Sequence, residues 1–310
     1  MAGKKDFCQV SIYSLDLEMA DSACVQEYFN NISSKMYRLL FLLWASFFSA
    51  QSYRFVYEYK IKPDAAKKDS VITDYMNLDT DGKKSYFQNG VKYERDSTYN
   101  ADKSYPALLK SRQYDRNLNY TVEKDYAQKT INFYDKYKTV SIITSDNEAP
   151  KWKIVNDFKK INSMNCQKAV ADYKGRKWEA WFSKDFPVSD GPYKFTGLPG
   201  LVVSVKDSEN DHVFDLVQIK KISTVTSFIP KNNKQMTHAE YRKLIKNYTF
   251  TSADDIAGMN VDSKAGVIGL ELKDGYVTKL DYNELKKSGK QMDALIAKKL
   301  RMTNNPIEKD

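Results

Sequence analysis

Apolar and polar residues alternate along much of the chain. Tyr53, Phe55, Tyr57, Tyr59 and Ile61 are interleaved with Arg54, Glu58, Lys60 and Lys62, Val56 being the one exception. A period of two predicts a strand with one buried and one wetted face. The same reasoning predicts strands over 71–78, 83–88, 118–123, 130–134, 139–144, 152–158, 166–173, 176–182, 201–206 and 213–222. Asp79 to Gly82 reads as a turn and Asn89-Gly90 as a two-residue hairpin. Residues 92–116 are polar and interrupted at Pro106, which predicts a loop with a short helix. Beyond Ile222 the period lengthens. Tyr241, Leu244 and Ile245 predict a helix over about 237–247 with Thr237 as its N-cap, followed by a loop over 250–264. A hairpin around Asp274-Gly275 joins 267–272 to 276–280. Leu285, Met292, Leu295, Ile296 and Leu300 predict an amphipathic helix over 283–301, with Lys298, Lys299 and Arg301 at its C-terminal end. The fold class is mainly β, a β-rich α+β chain: a curved antiparallel sheet or half-open barrel with C-terminal helical segments.

Residues 1–50 stand apart from this pattern. Lys35 and Arg38 precede the uncharged run Leu39–Ala50, and small residues follow it, the layout of a secretory signal peptide. Twelve residues fall short of the roughly 20 that a membrane-spanning helix requires. The expected organisation is a gene-model extension over 1–35, a signal peptide over 36–50 and a single domain over 51–310. Export to the periplasm or the extracellular, outer-membrane-associated space follows, with no span left in the mature chain. Cys8 and Cys24 fall before Gln51, so Cys166 is then the lone thiol, with no internal disulfide. No cysteine stands directly after the apolar run, which argues against a lipoprotein. Four of the 49 basic and five of the 40 acidic residues precede Gln51, leaving an excess of ten positive charges. These lysines are dispersed among acids, which argues against a nucleic-acid partner.

Catalytic chemistry has little material. The two histidines, His212 and His238, are expected at the surface, the first in the acidic turn Ser208–His212 and the second in the first turn of a helix. Asp207, Glu209, Asp211 and His212 read as a solvated turn rather than a cation site. Cys166 reads as a small buried hydrophobe. No catalytic residue, cofactor site or metal site is assigned. Trp178 and Trp181, three apart in one predicted strand, point to opposite faces; one is expected in the core and the other is a candidate ligand-facing residue.

The most distinctive stretch is Gly191–Ser204, Gly-Pro-Tyr-Lys-Phe-Thr-Gly-Leu-Pro-Gly-Leu-Val-Val-Ser. It is no phosphate loop, because Pro199 removes an N–H donor and a strand, not a helix, follows. Gly191, Pro192, Tyr193, Lys194, Phe195, Gly197, Leu198, Pro199, Gly200 and Leu201 resemble the signature of the GLPGLI family, with Val202 for its final isoleucine. The resemblance extends to Cys166–Ala169, Gly175-Arg176, Ala180–Phe182, Pro187 and Asn305–Glu308. It implies an exported protein of the Gram-negative envelope and no particular activity. At the level of fold, the strand-rich pattern is similar to the half-open barrels of LolA-like carriers. The functional expectation is a non-enzymatic binding or accessory protein that holds an apolar small molecule or an outer-membrane partner on a concave sheet face. A hydrolase working through dispersed carboxylates or Cys166 is the alternative. Within the motif, Tyr193, Phe195 and Leu198 are expected to tuck against the sheet as a rigid lid or buttress.

Overall fold

The first strand of the chain lies in the middle of a large sheet. The computed structural model describes residues 51–310 apart from 104–111, 147, 187, 249–251, 289–294, 297–303 and 310, so the extension and signal peptide expected over 1–50 lie outside the described residues. On one side of β1 (Ser52–Ile61) stand β2 (Ile72–Thr80), β3 (Lys84–Asn89), β4 (Thr121–Asp125), β5 (Thr130–Tyr137) and β6 (Val140–Asp146), in sequence order. Its other side pairs with β11 (His212–Ile222), beyond which come β10 (Leu201–Asp207), β9 (Arg176–Ser183), β8 (Met164–Tyr173) and β7 (Lys153–Ile161). All these pairings are antiparallel; β12 (Lys234–Gln235) alone adds in parallel, to β6. A second sheet holds β13 (Ile256–Asp262), β14 (Val267–Leu272) and β15 (Val277–Asp281).

This order forces the large sheet to curl. Strands β6 and β7 are consecutive in the chain yet lie near opposite ends of the sheet. Laid flat they would stand about 48 Å apart at ~4.8 Å per strand. The chain from Asp146 to Lys153 reaches at most about 25 Å. The ends must therefore approach. Lys174, in the β8–β9 turn, pairs with Asp146 at the end of β6 at 2.9 Å, and the Tyr173 hydroxyl donates to the Glu148 carbonyl at 3.0 Å. The barrel stays open because β6 and β7 do not pair.

Aromatic side chains fill the buried face. Phe55, Tyr57, Phe87, Phe195 and Phe214 are fully buried, and Tyr59 stacks on Phe214 at 3.9 Å between ring centres. A β-bulge opposite β11 at Val56/Tyr57 accompanies the one break in the alternation of β1.

Several local expectations are corrected. Asn89-Gly90 is not a hairpin: Asn89 ends β3 and caps α1 (Gly90–Asp102), its side chain accepting from the Lys92 N–H. Asparagine serves a cap as readily as a turn, and here burial of Asn89 against Asp74 at 3.1 Å decides for the cap. A 13-residue helix thus occupies the first part of the stretch read as a loop with a short helix. The helix near 240 is α2 (His238–Lys246), with Thr237 and Glu240 in a capping box. Residues 250–264 contain α3 (Ser252–Asp255) and the edge strand β13 instead of a loop, because Ile256 to Asp262 pair with β14. Of the C-terminal helix predicted over 283–301 the structure gives α4 (Tyr282–Ser288), and much of the remainder lies outside the described residues.

Candidate functional site: the motif plug and its charged sockets

Two glycines bring the motif into the barrel. A Cβ on Gly200 would lie 2.2 Å from the Ser183 carbonyl oxygen, and one on Gly191 2.4 Å from the Phe195 carbonyl oxygen and 2.7 Å from Val202 Cβ. Both positions need the close backbone approach that only glycine permits. Tyr193 takes a left-handed φ of 51° and Gly197 one of 92°, which folds the segment back on itself. The Val202 N–H donates to the Asp190 carbonyl at 2.8 Å, so the loop returns alongside β10. Tyr193, Phe195 and Leu198 are buried. Tyr193 meets Phe133 of β5, while Phe195 meets Trp178 of β9 at 4.5 Å and Phe214 of β11 at 6.0 Å. Tyr193 and Phe195 thus span both arms of the sheet and plug its concave face.

Charges under the plug are buried in pairs. The Lys124 ammonium, on β4, donates to Asp190 Oδ1 and to the Gly191 carbonyl, both at 2.5 Å. Both charged groups are about 1 % exposed, and burial, working against the Asp190 charge, lowers the lysine from its ordinary value. In the next socket Lys194 sits 2.7 Å and His238 2.9 Å from Glu308, whose Oε1 also accepts from the Tyr193 hydroxyl at 2.6 Å. Burial pushes the Glu308 carboxyl up, but His238 and Lys194 pull harder and hold it well below the usual carboxylate range. The Tyr193 hydroxyl is raised well above its usual value by burial first and then by Glu308, so it keeps its proton.

A third group surrounds Arg176. Its guanidinium donates to Asp207 at 2.7 Å, to Asn305 Oδ1 at 2.6 Å and to the Pro306 carbonyl at 2.7 Å. Asp207 in turn accepts the N–H groups of Asp211 and His212. Asp211 pairs with Lys68 at 2.5 Å; burial raises its carboxyl, but Lys68 and Asn305 outweigh that and hold it near 2. The acidic turn is therefore solvated only at its tip: Glu209 is exposed, whereas Asp207 and Asp211 are buried and neutralised by Arg176 and Lys68. Nor is His212 a surface residue. It is fully buried at the start of β11 with Nδ1 2.6 Å from the Tyr59 hydroxyl, and burial, then Arg176, lowers it to about 3. His238, with its side chain 20 % exposed, is drawn partly inward by Glu308.

One short segment closes two of these sockets. Asn305 and Pro306 serve Arg176, while Glu308 serves Lys194, Tyr193 and His238. Reading single motifs missed this juxtaposition, because the partners lie 70 to 130 residues apart. The available signal was a lysine inside an otherwise apolar motif, which requires a counter-charge once buried.

The two tryptophans point to opposite faces of β9. Trp178 is in the core. Trp181, 7 % exposed, lies on the other face, where the Lys159 ammonium stands 4.0 Å from its ring centre and its indole N–H donates to Glu179. Cys166 is 1 % exposed, and burial raises its thiol, the opposite of what a nucleophile requires. A polar cleft of about 140 Å³ is bordered by Lys92, Asp96, Tyr114, Tyr134, Asp135 and Asn233. Asp135 is raised by burial and accepts from the Tyr241 hydroxyl at 2.6 Å. Among the described residues, no three His, Cys, Asp or Glu side chains gather to hold a metal ion, and no helix is long and apolar enough to cross a membrane.

A protein-family model described as a protein of unknown function (Porph_ging) matches residues 121–204, which include strands β4 to β9, the plug and the first part of β10. The curated proteins contain no match. Two solved structures of PNGF-II, in C2 and P21 space groups, are similar to 72 % and 71 % of this chain, at 17 % and 15 % identity and a TM-score of 0.47 each. The matched region is 40 % of either solved chain.

Proposed function

We propose that this is an exported, non-enzymatic binding or accessory protein of the bacterial envelope, of the GLPGLI type, and that it works by holding a partner protein. The observation that carries the reading is where the motif's functional groups point. Lys194, Tyr193 and Asp190 are spent on Glu308 and Lys124, inside the fold. The aromatic residues of the motif occupy the concave face that an apolar ligand would need. A filled interior favours the outer surface as the place of binding, and so favours a protein partner over an apolar small molecule. The signal-like run Leu39–Ala50 supports export. The hydrolase alternative loses support at Cys166, whose thiol is buried and raised.

The test is recovery of the native protein from its own envelope after mild crosslinking. A partner protein captured in stoichiometric amount supports the reading. An uncrosslinked chain, or an extractable apolar ligand in its place, refutes it. The same cells carrying Cys166→Ser are expected to behave as wild type, and loss of function in that variant would revive a thiol mechanism.

A further inference from the structure

The two ends of the large sheet are finished differently. At one end β6 is covered by β12, and α2 is tied to the neighbouring β5 through Tyr241, which bonds Asp135 and packs on Phe133. At the other end β7 pairs with β8 along one edge, and among the described residues no strand occupies its second edge. Nine residues of strand, irregular in their pairing between Ile154 and Phe158, make an edge at most about 30 Å long. Unpaired N–H and C=O groups along such an edge are a template for another chain.

The side chains of β7 decide which chain. Phe158 is 64 % and Ile154 46 % exposed, so apolar surface is displayed on the edge strand itself. Lys151 precedes the strand, Lys153, Lys159 and Lys160 lie on it, and Asp157 is its one acid. Lysines commonly guard an edge against self-pairing. Guarding alone does not account for a phenylalanine left outside. A second copy of β7 would bring another strand with three lysines and one acid, a like net charge that is repulsive, whereas an acidic strand would meet complementary charge.

We propose that the free edge of β7 is the docking site for an extended acidic segment of a partner protein. The segment adds as a further strand, its carboxylates facing the lysines and its apolar side chains covering Phe158 and Ile154. This inference rests on the reading of the protein as a binding module and names the surface and the chemistry of its partner.

The probe is a fluorescent nine-residue peptide alternating Glu and Val, compared with its Lys/Val counterpart and with an N-methylated Glu/Val peptide that cannot donate backbone hydrogen bonds. Anisotropy is read against the full chain, and hydrogen exchange reads the β7 amides. The Glu/Val peptide is expected to bind at least about tenfold more tightly than either control and to slow exchange in β7. The charge-reversed variant K159E/K160E is expected to lose at least about tenfold in affinity. Phe158→Ser, at a position too exposed to matter for folding, is expected to weaken binding in the same direction. Equal binding of acidic and basic peptides, unchanged affinity in both variants, or protection of β7 by dimerisation of the chain would each overturn the inference. Crosslinks from a native partner to a different surface would also overturn it while leaving the binding reading intact. Absence of any native partner would instead sink the binding reading.

Discussion

Acid should destabilise this protein through one imidazole before its carboxylates titrate. His212 is fully buried, its Nδ1 held by the Tyr59 hydroxyl, with Arg176 close enough to repel a second positive charge. Burial, and then Arg176, brings its pKa down to about 3, against roughly 6.5 in an unfolded chain. Because the folded value is the lower one, the unfolded chain takes up the proton first. The contribution is whole above about pH 6.5 and is lost progressively as the pH falls toward 3. One pH unit within that window costs about 1.4 kcal/mol, so descending from about pH 7.5 to 5 removes about 2 kcal/mol. That is a large part of a total stability of about 5–15 kcal/mol. Urea unfolding across this range, in wild type and in His212→Asn, isolates the residue, because asparagine keeps an acceptor near Nδ1 and does not titrate. The variant starts less stable but is expected to lose about 2 kcal/mol less on acidification. Parallel slopes in the two proteins would refute the assignment of His212 as a buried neutral imidazole.

Two further expectations concern the plug. Gly200→Ala forces a methyl group onto the Ser183 carbonyl, a backbone contact that no rotamer relieves, and should cost more than about 3 kcal/mol, read as a lowered urea midpoint or loss of soluble protein. An unchanged midpoint would show that the motif glycines are not packed as described. For the Glu308 socket, Lys194→Met and Glu308→Gln should each cost up to about 3–5 kcal/mol, since either removes the nearest counter-charge of a buried group while His238 stays beside Glu308 and Asp146 near Lys194, and the double variant should cost clearly less than their sum. Additive losses would mean that the two groups are not coupled.

Much of this architecture was legible along the chain. Strand after strand matched its alternation, from Tyr53–Ile61 to Val213–Ile222, because burial of one sheet face is written locally as a period of two. The helix capped by Thr237 was legible for the same reason: a capping box lies within four residues. Asn89-Gly90 and Ile256–Asp262 were misread because their structure depends on partners elsewhere, Asp74 for the cap and β14 for the strand. His212, Asp207 and Asp211 look like a polar turn on paper, and become interior only because Arg176, Lys68 and Asn305 arrive from distant parts of the chain.

Neighbours a few residues apart were thus enough to specify a strand-rich fold and a motif built for packing. Tertiary structure alone decided three other things. The short link from β6 to β7 curled the sheet, the motif became a plug across its concave face, and Asn305 to Glu308 supplied the counter-charges beneath it. Each depends on contacts between residues remote in sequence, and a buried charge discloses its partner only when the chain has folded around both.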